Sequence, residues 1–351
     1  MFSVVMIVRD EATRLPCALE SVRGAPEVVV CDTGSQDKTR EIALAEGARV
    51  VKFPWCDDFA AARCFAEAHA SHDWIMRLDA DERVALCEPR RLSAEEAVGI
   101  SRPANLNFVE ALGALLEETE ADALSQVFIR RRHSPGNDHW FPRIHRRSVF
   151  QWVYPVHELV KPRGEYRPRC AAMEGFVVEH EREARPRPYR SILDAALRLR
   201  PEDPYLAFHL GQAYFEESDW EAVIKAFTYY QSLPGGYRFH RGEALRMEGE
   251  AWENLGDIER AFATYIRASQ SEGRAEPLWQ AARLALRIGD LAHAKEWAER
   301  GAELAMSPPR EKQSFGGLDY PYVLDWRSYG SECQQELKQQ IFSNNSSVHP
   351  S

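Results

Sequence analysis

The stretch DWIMRLDADERV, Asp73 to Val84, sets Asp79, Asp81 and Glu82 within four positions at the end of an apolar run. Carboxylates this close repel one another unless a cation lies among them. Hard oxygen ligands favour Mg²⁺ or Mn²⁺, and such an ion commonly bridges a diphosphate. The chemistry this spacing predicts is transfer away from a nucleoside diphosphate, with the ion stabilising the departing phosphate. Between Arg130 and Arg190, fourteen Lys/Arg stand against seven Asp/Glu in a chain of net charge −10. That segment is expected to offer further anion contacts.

These residues need a scaffold that delivers them to one place. SVVMIV (3–8), EVVVCD (27–32), ARVVKF (48–53) and DWIMRLDAD (73–81) are short apolar runs with a strand's composition. Between them lie helical patterns: DEATRLPCALESV with Leu15, Leu19 and Val22, then TGSQDKTREIALAEG with Thr39, Ile42 and Ala43 on one face. DDFAAARCFAEAHA (57–70) follows, with Asp57 or Asp58 as its N-cap. Strands apolar on both faces that alternate with helices predict a mostly parallel, Rossmann-like α/β sheet covered on both sides. Ligands then bind at the carboxyl ends of the strands. Asp10, Glu11, Asp32, Asp79 and Asp81 are therefore expected along one rim.

After Asp203 the period changes. Three helix-turn-helix units align with turn residues Ser218, Gly256 and Gly289, 38 and 33 positions apart. Small residues Gly211, Gly249 and Ala282 recur in the first helices, and Ala261 and Ala294 in the second, where the first unit carries Val223. A repeat near 34 residues is the tetratricopeptide pattern, whose units bury their faces by stacking. The boundaries predicted are an α/β domain over 1–190, all-α repeats over 200–305 and a tail over 306–351 whose polar end SNNSSVHPS is expected to be disordered. The charged, proline-rich EREARPRPYR (181–190) is expected to link the two domains.

Composition bounds the class. The chain has 351 residues, 44% hydrophobic and 28% charged, as soluble globular proteins have. No apolar run reaches eighteen residues, so no transmembrane segment is expected, and MFSVVMIVRDE reads as a first strand rather than a signal peptide. Seven scattered cysteines with no CxxC pair predict a reduced, cytoplasmic protein without a zinc site, with peripheral membrane contact through the basic segment as a variant of that localisation.

Six motifs in order, SVVMIVRDEATRL, EVVVCDTGSQDKT, WCDDFAAAR, DWIMRLDADE, WVYPVHELV and VVEH, resemble the inverting family 2 glycosyltransferases of the GT-A fold, in the subgroup with a C-terminal tetratricopeptide domain. The resemblance implies roles position by position. Glu11 lies near the donor nucleotide, Asp32 accepts a hydrogen bond from uracil, and Arg63 neutralises the donor phosphates or pairs with the acidic rim. Asp79 and Asp81 form the DxD pair: Asp79 faces the ribose or the metal, and Asp81 ligates Mn²⁺ or Mg²⁺. His180 returns to that metal. Arg143, in FPRIHRR, binds phosphate or orders the base. Glu158 in VHEL is the base that takes the acceptor's proton, with His157 positioning it or touching the acceptor. Where the family often has Asn after the arginine of DFAAAR, this chain has Cys64.

The donor implied is a UDP-sugar and the acceptor a peptide, protein or saccharide. The repeats are expected to bind that acceptor or to join a second copy of the chain as a homo-oligomer. No nucleic-acid partner is expected. The rival reading is a repeat-based interaction scaffold with a vestigial transferase domain, against which both DxD acids and Glu158 stand. A nucleotidyltransferase is disfavoured because VRDEATRL lacks a glycine-rich phosphate loop.

Overall fold

The four apolar runs fold into the parallel half of one sheet. In this computed structural model the described residues are 1–87, 99–100, 106–118, 124–132, 138–165, 169–181, 189–272, 275–306, 314–315 and 318–319. The chain divides into two compact units, Met1–Arg187 with Ser314–Leu324 and Pro188–Gln313 with Asp325–Ser351. Most of the 181–190 linker expectation, and all of the tail expectation except Met306 and two paired two-residue strands, lie outside the described residues.

The first unit runs β1 (Phe2–Val8), α1 (Leu15–Ser21), β2 (Glu27–Asp32), α2 (Thr39–Ala45), β3 (Arg49–Lys52), α3 (Phe59–Ala68) and β4 (Trp74–Arg77). It continues through β5 (Glu82–Leu86), β6 (Gly99–Ile100), α4 (Phe108–Glu118), β7 (Leu124–Arg132), β8 (Asp138–Arg146), β9 (Phe150–Val153), β10 (Leu159–Pro162) and β11 (Arg169–His180). The main sheet has the order β3-β2-β1-β4-β8-β7-β11-β5, with β6 beside β11. Its first four strands are parallel, in the register Val8 to Asp32 and Val5 to Arg77. Beyond β4 the sheet is mixed, because β8 runs against both β4 and β7, and β5 against β11.

Alternation along β1 explains its almost wholly apolar sequence, with Ser3 as the one polar residue. Phe2, Val4, Met6 and Val8 face one core with Leu15, Leu19, Leu112 and Leu116, while Val5 joins Val29, Ile75 and Ala66 on the other side. Both faces are covered, so neither can carry the polar stripe of a half-exposed strand. Helix α3 starts where its sequence announces it: Asp58 accepts a hydrogen bond from the Ala61 N–H at 2.8 Å.

The second unit is all helix: α5 (Tyr189–Leu199), α6 (Pro204–Glu216), α7 (Trp220–Ser232), α8 (Arg238–Asn254), α9 (Ile258–Glu272), α10 (Glu276–Arg287) and α11 (Leu291–Met306). The turns between α6 and α7, α8 and α9, and α10 and α11 hold Ser218, Gly256 and Gly289 at positive φ, as their spacing predicts. Gly211 of α6 lies under the Phe227 ring of α7, and Gly249 of α8 under the Tyr265 ring of α9. The third hairpin reverses this arrangement: the aromatic residue is Trp279 on α10 and the glycine is Gly301 on α11. No helix among the described residues is long and apolar enough to cross a membrane.

Candidate functional site

Strand β4 ends at Arg77, and the chain then leaves the sheet through Leu78–Asp81 before starting β5 at Glu82. The three clustered carboxylates therefore stand at the carboxyl rim of the parallel strands, where the sequence predicts a ligand site. Their neighbours come from far along the chain. Asp79 Oδ1 accepts from Arg63 Nη2 at 3.0 Å and its Oδ2 from Arg77 Nη2 at 2.8 Å. Burial alone would raise the Asp79 pKa, but the Arg63, Arg77 and Arg143 guanidinium charges outweigh it and hold the carboxyl well below its ordinary range.

Glu82 is a different kind of acid. Its side chain is fully buried and accepts a forked pair from Arg143, Nη1 at 2.7 Å and Nη2 at 2.6 Å, with Arg131 Nη2 at 3.3 Å and the Asp79 N–H at 3.1 Å. Four arginines thus meet the carboxylates of Asp79, Glu82 and Glu158. Guanidinium groups already offset the charges of Asp79 and Glu82. Each Asp79 oxygen meets an arginine, whether or not it also faces the ribose or the metal as expected. Arg143 is not an exposed phosphate contact, since it is wholly buried and closed on Glu82. It can order the base only through the acids between them.

Asp81 is the acid left over. Its Oδ2 lies 3.2 Å from His180 Nε2, at the end of β11. Burial pushes the Asp81 pKa up, and the His180 hydrogen bond brings it below its ordinary value. A carboxylate and an imidazole at this separation suit two adjacent corners of an octahedral Mn²⁺ or Mg²⁺ shell, which lie about 3 Å apart when metal–ligand bonds are about 2.1 Å. No group of three or more metal-binding side chains occurs among the described residues. A metal held by Asp81 and His180 would thus keep positions open for other oxygens.

Glu158 reaches the site from a hairpin outside the main sheet. Strands β9 and β10 pair from Phe150–Pro162 to Val153–Leu159, enclosing a five-residue turn, 154–158. Tyr154 and His157 both adopt positive φ, at 75° and 53°, which costs about 1 kcal/mol or more each and survives only where other contacts fix the turn. One such contact is the Phe59 N–H, which donates to Pro155 O at 2.9 Å and ties the turn to the start of α3. Another is Arg63, whose Nε donates to Glu158 Oε1 at 2.6 Å while its guanidinium lies 5.0 Å over the Trp152 ring. Burial disfavours the Arg63 charge, but Asp79 and Glu158 together raise its pKa above the ordinary arginine value. His157 stands beside Glu158 in the same turn.

The nucleotide-side expectations fare less evenly. Glu11 is half-buried, with its carboxylate on Arg14 Nε at 2.9 Å and its N–H donating to Thr39 Oγ1 at 2.8 Å. Asp32, expected to accept a hydrogen bond from uracil, lies at the end of β2. It is 1% exposed and turned into its own loop, where it accepts from the Ser35 N–H at 3.1 Å, with Arg40 Nη1 at 3.7 Å. Much of the basic excess after Arg130 is likewise used internally. Arg131 and Arg143 serve Glu82, Arg132 serves Glu179, and Arg147 donates to the carbonyls of Glu67 and Ala70. Sequence reasoning missed Arg77 and Arg131. The one available signal was Arg77 itself, a charged residue within the apolar run WIMRL.

Part of this region matches a known family. Residues 3–86 match the model of glycosyl transferase family 2. An uncharacterized glycosyltransferase of Rickettsia bellii is 42% identical over 84 residues, 24% of this chain and 28% of that protein. A TPR repeat-containing protein of Synechococcus elongatus is 35% identical over 236 residues, 63% of this chain and 54% of that protein. The chain thus spans about half the length of the second relative and under a third of the first. Among solved structures, a crystal structure of MamA aligns with 45% of this chain and 90% of its own at 16% identity and TM-score 0.31. The glycosyltransferase domain as matched ends at residue 86 and so contains Glu11, Asp32, Arg63, Asp79 and Asp81, whereas Arg143, His157, Glu158 and His180 lie beyond it.

Proposed function

We propose that the chain is an inverting, metal-dependent glycosyltransferase that moves a sugar from a UDP-sugar to a peptide, protein or saccharide acceptor. Glu158 removes the acceptor's proton as its oxygen attacks the anomeric carbon, and the bond to the nucleoside diphosphate breaks on the opposite face. Asp81 and His180 would hold Mn²⁺ or Mg²⁺, which supplies Lewis-acid stabilisation of the leaving diphosphate when bound. Arg63 orients Glu158 and lies close enough to Asp79 to neutralise charge on the donor side as well. The observation that carries the reading is the meeting of Glu158 with Arg63, 95 residues earlier in the chain, at 2.6 Å. A carboxylate from a strained turn is thereby held beside the loop that bears Asp81.

A panel of nucleotide sugars screened for Mn²⁺-dependent hydrolysis tests this reading. Glu158→Gln is expected to bind UDP with Mn²⁺ as the natural protein does and to lose turnover, while Asp81→Asn is expected to lose metal-dependent UDP binding. Retained turnover in the first variant reassigns the base. Absence of both hydrolysis and UDP binding in the unmodified protein favours instead the scaffold reading, in which the helical hairpins hold a protein partner.

A further inference from the structure

The Asp79–Arg63–Glu158 contacts have an asymmetry that sequence patterns do not express. Arginine pairs best with one carboxylate through two parallel N–H donors, and the edge formed by Nε and Nη2 is one such fork. Arg63 does not use it this way. Its Nη2 goes to Asp79 Oδ1 at 3.0 Å and its Nε to Glu158 Oε1 at 2.6 Å, so one fork is divided between two acids. The division needs a reason, because either carboxylate alone could take both donors.

Arg77 provides it. Its Nη2 holds Asp79 Oδ2 at 2.8 Å, which turns the carboxylate so that Oδ1 is the oxygen that meets Arg63. Arg77 is itself fixed in place: its guanidinium lies 5.7 Å from the Phe141 ring centre and 5.6 Å from that of Trp152, the ring that Arg63 also covers. Burial and the nearby Arg63 and Arg143 charges make Arg77 a poorer cation than usual, with Asp79 as the acid it meets directly. We propose that Arg77 is a positioning residue for the base: by occupying Asp79 Oδ2 it obliges Arg63 to spend its Nε on Glu158. Without Arg77, Asp79 turns both oxygens to the Arg63 fork and Glu158 is released from its place in the turn.

The activity arm of the test rests on the transferase reading; the spectroscopic arm does not. On the full chain, ¹⁵N-arginine spectra report the Arg63 Nε–H, assigned by its loss in Arg63→Lys. In the natural protein Glu158→Gln is expected to shift this resonance. With Arg77→Met, which keeps the apolar stacking, the same Glu158→Gln change is expected to leave it unmoved. With Arg77→Lys, which keeps one donor for Asp79, the sensitivity is expected to return. Should Arg77→Met not fold, Arg77→Leu serves, with the same insensitivity of the Arg63 resonance to Glu158→Gln expected.

In Mn²⁺-dependent hydrolysis of UDP-sugars, Arg77→Met is expected to lose turnover at least tenfold with UDP affinity within threefold, and Arg77→Lys to recover most of it. A Met variant that matches the natural protein while the Lys variant fails would make Arg77 a packing residue and overturn the proposal. So would an Arg63 signal that still answers to Glu158 in Arg77→Met. If the natural protein hydrolyses no donor, the transferase reading fails on its own, and the spectra still decide the relay.

Discussion

Glu82→Gln tests most directly whether arginine rather than metal stabilises the acidic rim. The substitution keeps the side chain's shape and one acceptor oxygen but removes its charge. Arg143 is wholly buried and has Glu82 as its one ion-pair partner among the described residues, through two contacts of 2.7 and 2.6 Å. Removing one member of a buried pair costs about 3–5 kcal/mol, since the other is left as an uncompensated charge. For a unit of this size each kcal/mol moves Tm by about 2–4 °C, so its transition is expected to fall by about 6–20 °C. Arg143→Met should cost less, because Glu82 keeps Arg131 at 3.3 Å and the Asp79 N–H at 3.1 Å. The double variant should be more stable than Glu82→Gln alone, since neither buried charge of the pair remains. Differential scanning calorimetry of the full chain, in metal-free buffer, resolves these differences. A shift below about 2 °C for Glu82→Gln, or a double variant that loses the sum of both singles, would refute the charge argument.

Two further expectations concern packing and thiol chemistry. A Cβ on Gly249 would lie 2.7 Å from the Tyr265 ring, so Gly249→Ala is expected to destabilise the second unit by about 1–3 kcal/mol in urea titrations. Gly113→Ala on α4 meets nothing within 4 Å and should be neutral or stabilising by about 0.5–1 kcal/mol; equal effects would refute the packing account. Burial pushes the Cys31 and Cys170 thiols up to about 12, whereas Cys17 and Cys56 are exposed. Iodoacetamide at pH 8 followed by peptide mapping should label Cys17 and Cys56 and spare the other two, because the thiolate is the reacting species. Rapid labelling of Cys31 in the folded protein would contradict the β2 burial.

Local sequence was enough wherever one segment alone dictates its own structure. The alternation of β1, the Asp58 cap of α3 and the turn residues Ser218, Gly256 and Gly289 are set by residues within a few positions of one another. The position of Asp79 and Asp81 at a rim follows from the same short-range rules, because a parallel strand must end where its apolar run ends. What the sequence could not determine is which of those carboxylates stays available. That depends on partners 16, 61 and 95 positions away along the chain: Arg63 for Asp79, Arg143 for Glu82, and Arg63 again for Glu158. Electrostatic energy follows distance in space, and only the folded sheet and its hairpin bring these charges together. Asp32 shows the same limit in reverse: its place at the end of β2 was legible, but the turn that closes around its oxygens was not.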